Sequence, residues 1–169
     1  NATENSGWNR YSAVISNNPG ATLLVEGALT IEHKGGTDMA YGIDALTNGT
    51  IGHVNTTING AIVKSTYRAV RQFLNSDSHE NNLIVKAGTI VGENNGIFFH
   101  DPSTKANNGK VVVKEGASVN GVYLFVTEGS TEWPVEVSIA AAALKDGSTV
   151  LTNNVPEGYK LVEANGKFA

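Results

Sequence analysis

One pattern is written twice between residues 83 and 126, and it constrains the fold of this chain more than any other feature. The first copy reads LIVKAG-TIVGENNG-IFFHDP, from Leu83 to Pro102, and the second reads VVVKEG-ASVNG-VYLFV, from Val111 to Val126. Each copy consists of three short, β-branched or aromatic runs that are separated by glycine-bearing corners. Such runs are typical of strands, and their recurrence predicts the coils of a stacked β-solenoid.

The two copies belong to a longer series in which an apolar residue is followed by a polar residue and then by glycine. The four corner glycines, at positions 27, 60, 88 and 116, are separated by 33, 28 and 28 residues. A repeat of about 20–50 residues indicates a repeat architecture. A second run follows each corner: Ala28–Glu32, Ala61–Ser65, Thr89–Gly92 and Ala117–Asn120. A third run closes each coil: Ala40–Leu46, Tyr67–Leu74, Ile97–Asp101 and Val122–Val126. Three strands per coil predict an all-β chain, folded as a single-stranded parallel β-helix of about four to five coils.

We expect one structural domain, and we expect it to be a fragment of a longer chain. Residues 1–20 are predicted to form an N-terminal cap, because the ends of a solenoid need terminal elements that cover them. Residues 21–137 form the coils, and residues 138–169 form a C-terminal cap. In this cap, Ser138–Gly147 is rich in alanine and predicts a short helix that Ser138 caps and Gly147 ends. Asn165-Gly166, between two short runs, predicts a terminal β-hairpin.

The sequences VKAGTIVG and VKEGASVNG are each followed by a strand with the pattern G-[IV]-[FY]-[FL]. This combination resembles the right-handed parallel β-helices of the pectate-lyase-like superfamily, above all the short modules without apparent enzymatic activity on the surface of gut-type bacteria. The resemblance covers roughly residues 20–169. It implies right-handed coils and an extracellular or cell-surface location, but no chemistry, because β-helix coils occur in lyases, hydrolases, adhesins and phage tail parts.

The two-residue period of strands assigns the side chains of the third run to two faces. The inward columns are expected to be Ile43, Ala69, Phe99, Leu124 and Tyr41, Tyr67, Ile97, Val122. The outward columns are then Gly42, Arg68, Phe98, Tyr123 and Asp44, Val70, His100, Phe125. A slip of one residue would exchange the two sets. A further apolar column in the first run, formed by Leu24, Ile84 and Val112, is also expected to point outward.

The outward columns of the third run hold the candidate binding residues. Aromatic rings beside a few polar groups can stack against sugar rings, and contiguous apolar patches often mark interaction sites. The predicted binding residues are Asp44, Arg68, Phe98, His100, Tyr123 and Phe125. The alternative is that a loop, the C-terminal hairpin or a neighbouring domain covers this face.

Catalytic and metal sites do not assemble from the sequence. A polysaccharide lyase needs clustered carboxylates, usually with calcium, and a basic residue that takes a proton. The candidates are Asp38, Asp44, Asp77 and Asp101 with Arg68 and Arg71, but no two aspartates stack on adjacent coils. A glycosidase needs two carboxyl groups roughly 5–10 Å apart, and Asp44, Glu93 and Asp101 do not form such a pair. The four histidines, at positions 33, 53, 79 and 100, lack metal-ligand spacing. We therefore expect no catalytic residues, no metal and no cofactor.

Composition narrows the classes of partner. The chain carries 12 basic and 16 acidic residues, and the basic ones are scattered, which argues against nucleic acid binding. No run of about 18 apolar residues is present, so we expect no membrane insertion. Cysteine is absent, which excludes disulfides and thiolate metal sites.

Three hypotheses of function follow. The first is a non-catalytic extracellular module of a bacterial surface or secreted protein, acting as a structural spacer or adhesin. Its partners would be a polysaccharide or host glycan and other domains of the same longer chain. The second is a small polysaccharide lyase or glycoside hydrolase. The third is a component of a fibre or a phage-tail-like assembly, in which apolar outer columns pack against other chains.

Overall fold

The structure is a computed structural model, and it describes residues 11–35, 39–47, 52–74, 80–101, 108–126, 136–153 and 160–169. Half of the predicted N-terminal cap, residues 1–10, lies outside these ranges, as do Asp38, Asp77 and His79. The backbone of Asp101 is described but its side chain is not. Of the carboxylates considered for catalysis, only the side chains of Asp44 and Glu93 are therefore described.

The described residues form fourteen strands. In chain order they are β1 (Tyr11–Asn17), β2 (Thr22–Glu26), β3 (Thr30–His33), β4 (Met39–Thr47), β5 (His53–Ser65), β6 (Arg68–Leu74), β7 (Glu80–Gly92), β8 (Asn95–Asp101), β9 (Asn108–Val119), β10 (Val122–Val126), β11 (Glu136–Ala140), β12 (Val150–Thr152), β13 (Glu163–Ala164) and β14 (Lys167–Phe168). One sheet, sheet A, has the order β1-β4-β6-β8-β10-β12. The other, sheet B, has the order β13-β14-β11-β9-β7-β5-β2, and β3 also pairs with β5. All pairs among the coil strands are parallel, so the predicted parallel β-solenoid is confirmed, with about four turns.

The corner glycines bend strands rather than end them. In the middle coils the predicted first and second runs merge into the single long strands β5, β7 and β9, and only the first coil keeps them apart as β2 and β3. Gly60 and Gly88 lie at the bends with φ of 101° and 112°, in the region that favours glycine. The ladder shifts its register at these bends and then continues. Backbone pairing between coils therefore persists around the corner.

Inward columns fill the core, but their register in sheet A differs from the prediction. Ile97 pairs with Val122 and Phe99 pairs with Leu124, as predicted. In the earlier coils the predicted columns are wrong. The paired columns are Ile15–Ile43–Val70–Ile97–Val122–Val150 and Asn17–Ala45–Gln72–Phe99–Leu124–Thr152.

The error has a physical reason at the start of β6. Ala69 and Val70 are consecutive, yet both are buried in the hydrophobic core. Strict alternation therefore breaks where the chain turns the corner, and a count that starts from the preceding corner slips by one residue. In sheet B, Leu24, Ile84 and Val112 lie in register, with Thr57 between Leu24 and Ile84. Leu24 is 55% exposed, Ile84 is half-buried and Val112 is buried.

The C-terminal region corrects one prediction and confirms another. The helix predicted over Ser138–Gly147 is wrong: β11 takes Glu136–Ala140, and only a 3-10 turn, Ala141–Ala143, follows. Val137 and Ile139 pair with β9 and are buried, so core packing overrides the helix propensity of the alanines. The hairpin at Asn165-Gly166 is confirmed, with φ of 52° and 70° at these two residues, and β14 pairs antiparallel with β11.

Candidate functional site

Ten side chains gather on the outer side of sheet A, and we call them the outer aromatic cluster. They are Tyr41, Asp44, Tyr67, Arg68, Arg71, Phe73, Phe98, His100, Tyr123 and Phe125. Two columns of sheet A build most of it, namely Asp44–Arg71–Phe98–Tyr123 and Phe73–His100–Phe125. All six predicted binding residues lie in this cluster. Tyr41 and Tyr67, which the sequence placed inside the core, contact each other edge to face at 5.9 Å in the cluster instead.

The rings contact one another both along and across the strands. Phe98 stacks on Tyr123 of the next coil, with ring centroids 5.5 Å apart and an interplanar angle of 23°. It also stacks on His100 of its own strand at 4.8 Å. Phe125 meets the His100 ring edge to face at 5.2 Å. Such pairs stabilise neighbouring strands beyond the area they bury, so the cluster is part of what holds successive coils together.

Arg68 is held on aromatic rings. Its guanidinium carbon lies 3.6 Å from the centre of the Phe98 ring and 4.6 Å from that of Tyr67. These are cation–π contacts, which become stronger as water is removed. Burial lowers the pKa of Arg68 from its ordinary value. Its Nε has no hydrogen-bond partner, and its guanidinium faces no carboxylate, among the described residues. The side chain is therefore a cation held in place by aromatic rings, and its buried Nε is unpaired among the described residues.

Arg71 and Asp44 form a buried ion pair on adjacent coils. Nε of Arg71 donates to Oδ1 of Asp44 and Nη2 donates to Oδ2, both at 2.7 Å. The side chains are 8% and 0% exposed. The guanidinium carbon of Arg71 also lies 4.5 Å from the ring centre of Tyr41 and 4.6 Å from that of Phe73. Both oxygens of Asp44 thus bind a fixed cation, and the carboxylate is shielded from solvent.

His100 is a neutral ring at neutral pH. Burial lowers its pKa to about 4, and the positive charges of Arg71 and Arg68 act in the same direction. Its Nδ1 is buried and has no hydrogen-bond partner among the described residues. The imidazole therefore serves the cluster as another aromatic ring, between Phe73 and Phe125.

This environment predicts a loss of stability in mild acid. The unfolded chain protonates His100 near pH 6.5, whereas the folded chain does so only near pH 4. The contribution of neutral His100 to the free energy of unfolding is complete above about pH 6.5. It falls by roughly 1 kcal/mol per pH unit as the pH drops towards 4. In urea unfolding at pH 7 and pH 5, the His100→Phe variant should lose less stability than the wild type. A His100 NMR signal that titrates near pH 6.5 in the folded protein would contradict this.

The cluster is closed at its centre and open at its rim. The sequence placed Phe98 on an exposed face, but only 5% of it is exposed. Tyr67, Arg68, His100, Tyr123 and Phe125 are half-buried and form the rim. Any ligand would therefore contact the rim.

The sequence suggests Arg71 only as a candidate catalytic base and does not predict its ion pair with Asp44. One signal could have found it. The two residues are 27 positions apart, close to the repeat length of 28 residues, and residues one repeat apart stack on adjacent coils. Opposite charges about one repeat apart in the sequence therefore predict an ion pair between adjacent coils.

A polar groove of about 300 Å³ crosses the coils at the corner that follows β3, β5 and β7. Glu32, Lys64, Glu93 and Asn120 line it, one from each successive coil. The Asn120 amide bonds both the N–H and the C=O of Gly92, at 3.0 and 2.6 Å. Asn120 therefore joins two coils at this corner, and Glu93 lies there rather than beside Asp44.

No family model, curated protein or solved structure matches this chain. The resemblance to pectate-lyase-like β-helices is thus supported by the parallel solenoid architecture alone. Within the part of the chain that the structure describes, no three His, Asp or Glu side chains are grouped closely enough to hold a metal ion. None of the described helical segments has the length and apolar character of a membrane span.

Proposed function

We propose that this chain is a non-catalytic extracellular module of a bacterial surface or secreted protein, acting as a rigid spacer or adhesin that contacts glycans through the rim of the outer aromatic cluster. One observation carries the proposal: the rim offers aromatic rings and the Arg68 guanidinium, which faces no carboxylate among the described residues, while the carboxylate of Asp44 is buried and bound by Arg71.

The spacer role is supported by the way the coils are joined. Every coil pairs with the next through backbone hydrogen bonds in both sheets, and the apolar columns continue from coil to coil. An element of this kind resists bending because each coil is held along two ladders and a packed core. Other domains of a longer chain could therefore be held at a set distance.

Glycan contact is supported by the chemistry of the rim. Tyr123 and Phe125 are half-buried, so part of each ring can reach the apolar C–H face of a sugar. Arg68 can donate charge-assisted hydrogen bonds to sugar hydroxyl or acidic groups without first reorganising, because three aromatic rings already surround it. A polysaccharide or a host glycan is the proposed partner.

The non-catalytic part of the proposal is supported by the state of Asp44. A general acid or base must reach a proton of the substrate, and a calcium ligand must offer a free oxygen. Asp44 does neither, because both of its oxygens accept hydrogen bonds from Arg71 inside the cluster.

Glycan binding should weaken when the rim is truncated. On a glycan array followed by calorimetry with the best ligand, Tyr123→Ala and Arg68→Gln are each expected to weaken binding on the order of tenfold, equivalent to about 1.4 kcal/mol. Ile62→Ala is the matched control, because Ile62 is an exposed apolar residue on sheet B. Unchanged binding by both rim variants, or no ligand on the array, would contradict glycan contact. Release of unsaturated or reducing sugars that is lost in Asp44→Asn would contradict the non-catalytic assignment.

A further inference from the structure

The two ends of sheet B differ in how they are finished. At the C-terminal end, β14 pairs antiparallel with β11, and Phe168 packs against the core. At the N-terminal end, β2 is the last strand in the order, and no described strand lies on its outer side. Among the described residues, the C-terminal end of sheet B therefore finishes in a two-residue hairpin strand, and the N-terminal end finishes in β2 with no strand on its outer side.

The direction of the backbone groups of β2 follows from two hydrogen bonds that flank it. The carbonyl oxygen of Ala21 accepts from the N–H of Asn55, and the N–H of Gly27 donates to the carbonyl of Asn59. Backbone groups alternate sides along a strand, so the odd-numbered residues of β2 face β5. The N–H and C=O groups of Thr22, Leu24 and Glu26 then point away from the solenoid, where the described residues offer them no partner.

The open end also exposes apolar side chains. Leu24 is 55% exposed, Leu29 40% and Val14 50%. Natural proteins usually protect an edge strand with lysine, proline or a bulge. The sequence of β2, TLLVE, contains neither lysine nor proline, and its register with β5 is unbroken. This edge is thus suited to pair with another strand.

We propose that β2 pairs antiparallel with β2 of a second copy of this chain, with the two-fold axis at Leu24. The two Leu24 residues would exchange both of their backbone hydrogen bonds, as directly opposed residues do in an antiparallel pair. Thr22 of each copy would lie opposite Glu26 of the other and make the same exchange. All of the outward backbone groups of the edge are then satisfied, and no like charges face each other across the pair.

A second copy fits this edge better than a growing stack of copies. Head-to-tail addition would have to pair β2 with β13, the strand at the C-terminal end of sheet B, and β13 has only 2 residues against the 5 of β2. Joining two like ends instead gives a closed, isologous dimer. This interaction is independent of the outer aromatic cluster, which lies on sheet A, and it goes beyond the proposed glycan contact.

The first test is the mass of the protein in solution. Sedimentation equilibrium of the 169-residue chain should reveal a concentration-dependent dimer. Leu24→Lys places two ammonium groups at the two-fold axis and should weaken the dimer at least on the order of tenfold. Leu151→Lys is the matched control, since Leu151 is 48% exposed on β12 at the other end of the solenoid, and it should leave the dimer unchanged. A monomer at every concentration, or a dimer unaffected by Leu24→Lys, would overturn the proposal.

The second test uses the absence of cysteine from the natural sequence. In a Leu24→Cys variant the two Cα atoms at the axis would be about 5.5 Å apart. A short thiol-to-thiol crosslinker should therefore trap a covalent dimer. The Leu151→Cys variant should give no covalent dimer under the same conditions. Crosslinking that is equal in the two variants, or absent in Leu24→Cys while far-ultraviolet circular dichroism shows native structure, would also overturn the proposal.

Discussion

Replacing Arg71 with methionine should lower the free energy of unfolding by about 3–5 kcal/mol, because removal of one partner leaves a buried charge without compensation. Asp44 is fully buried, and both of its oxygens accept hydrogen bonds from Arg71. Water cannot replace the lost guanidinium without opening the outer aromatic cluster. Urea unfolding at neutral pH measures the loss.

A double variant distinguishes the effect of the ion pair on stability from the effect of side-chain packing. Asp44→Leu combined with Arg71→Met removes both charges and keeps much of the volume, so most of the lost stability should return. Arg68→Met is a matched single control, because Arg68 lies in the same cluster but faces no described carboxylate, and it should cost clearly less than Arg71→Met. A single Arg71→Met variant as stable as the wild type would show that Asp44 is not held by this pair.

Gly88→Ala should be strongly destabilising, with a loss of about 3 kcal/mol or more in the free energy of unfolding. A Cβ at this position would lie inside contact distance of the Ala61 carbonyl oxygen and 3.0 Å from the Ala61 nitrogen, both backbone atoms of the coil below. The residue also has a φ of 112°, which alanine adopts only with strain. The strain costs about 1–2 kcal/mol, and forcing the coils apart costs typically 1–3 kcal/mol more.

Gly27→Ala provides the matched control for that prediction. Gly27 occupies the same corner of the first coil with a φ of 77°, but nothing lies within 4 Å of a Cβ built there. The stability lost in Gly27→Ala should therefore be limited to the backbone strain of about 1–2 kcal/mol. Thermal unfolding of the two variants compares them directly. Equal losses would mean that close approach between coils does not constrain Gly88.

The corner glycines made the solenoid predictable, because the backbone conformation that favours glycine is local and recurs along the chain. Gly27, Gly60 and Gly88 bend the chain with a positive φ, which favours glycine, so the residue returns in three successive coils. The register of sheet A was only partly predictable. The segment at Tyr67–Val70 turns a corner, and there two consecutive residues, Ala69 and Val70, both face the core. No strand period in the sequence reports such a break.

The candidate site was predicted as a set of residues but not as an arrangement. The sequence placed Phe98, His100, Tyr123 and Phe125 on one outer face, and the structure brings them into contact. It could not show that Phe98 is buried, because the ring is covered by Arg68 from another coil. Nor could it show that Asp44 is bound by Arg71, because such pairing depends on which columns align between coils.

By itself, the sequence determined the architecture of this protein: a parallel solenoid with glycine bends, apolar columns and a terminal Asn-Gly hairpin. These features depend on backbone conformation and on the strand period, which short segments encode. Only the tertiary structure decided which columns align, that Ser138–Ala140 is a strand, and that the outer face closes around an ion pair. Each of these depends on contacts between coils about 28 residues apart, where packing outweighs local preference.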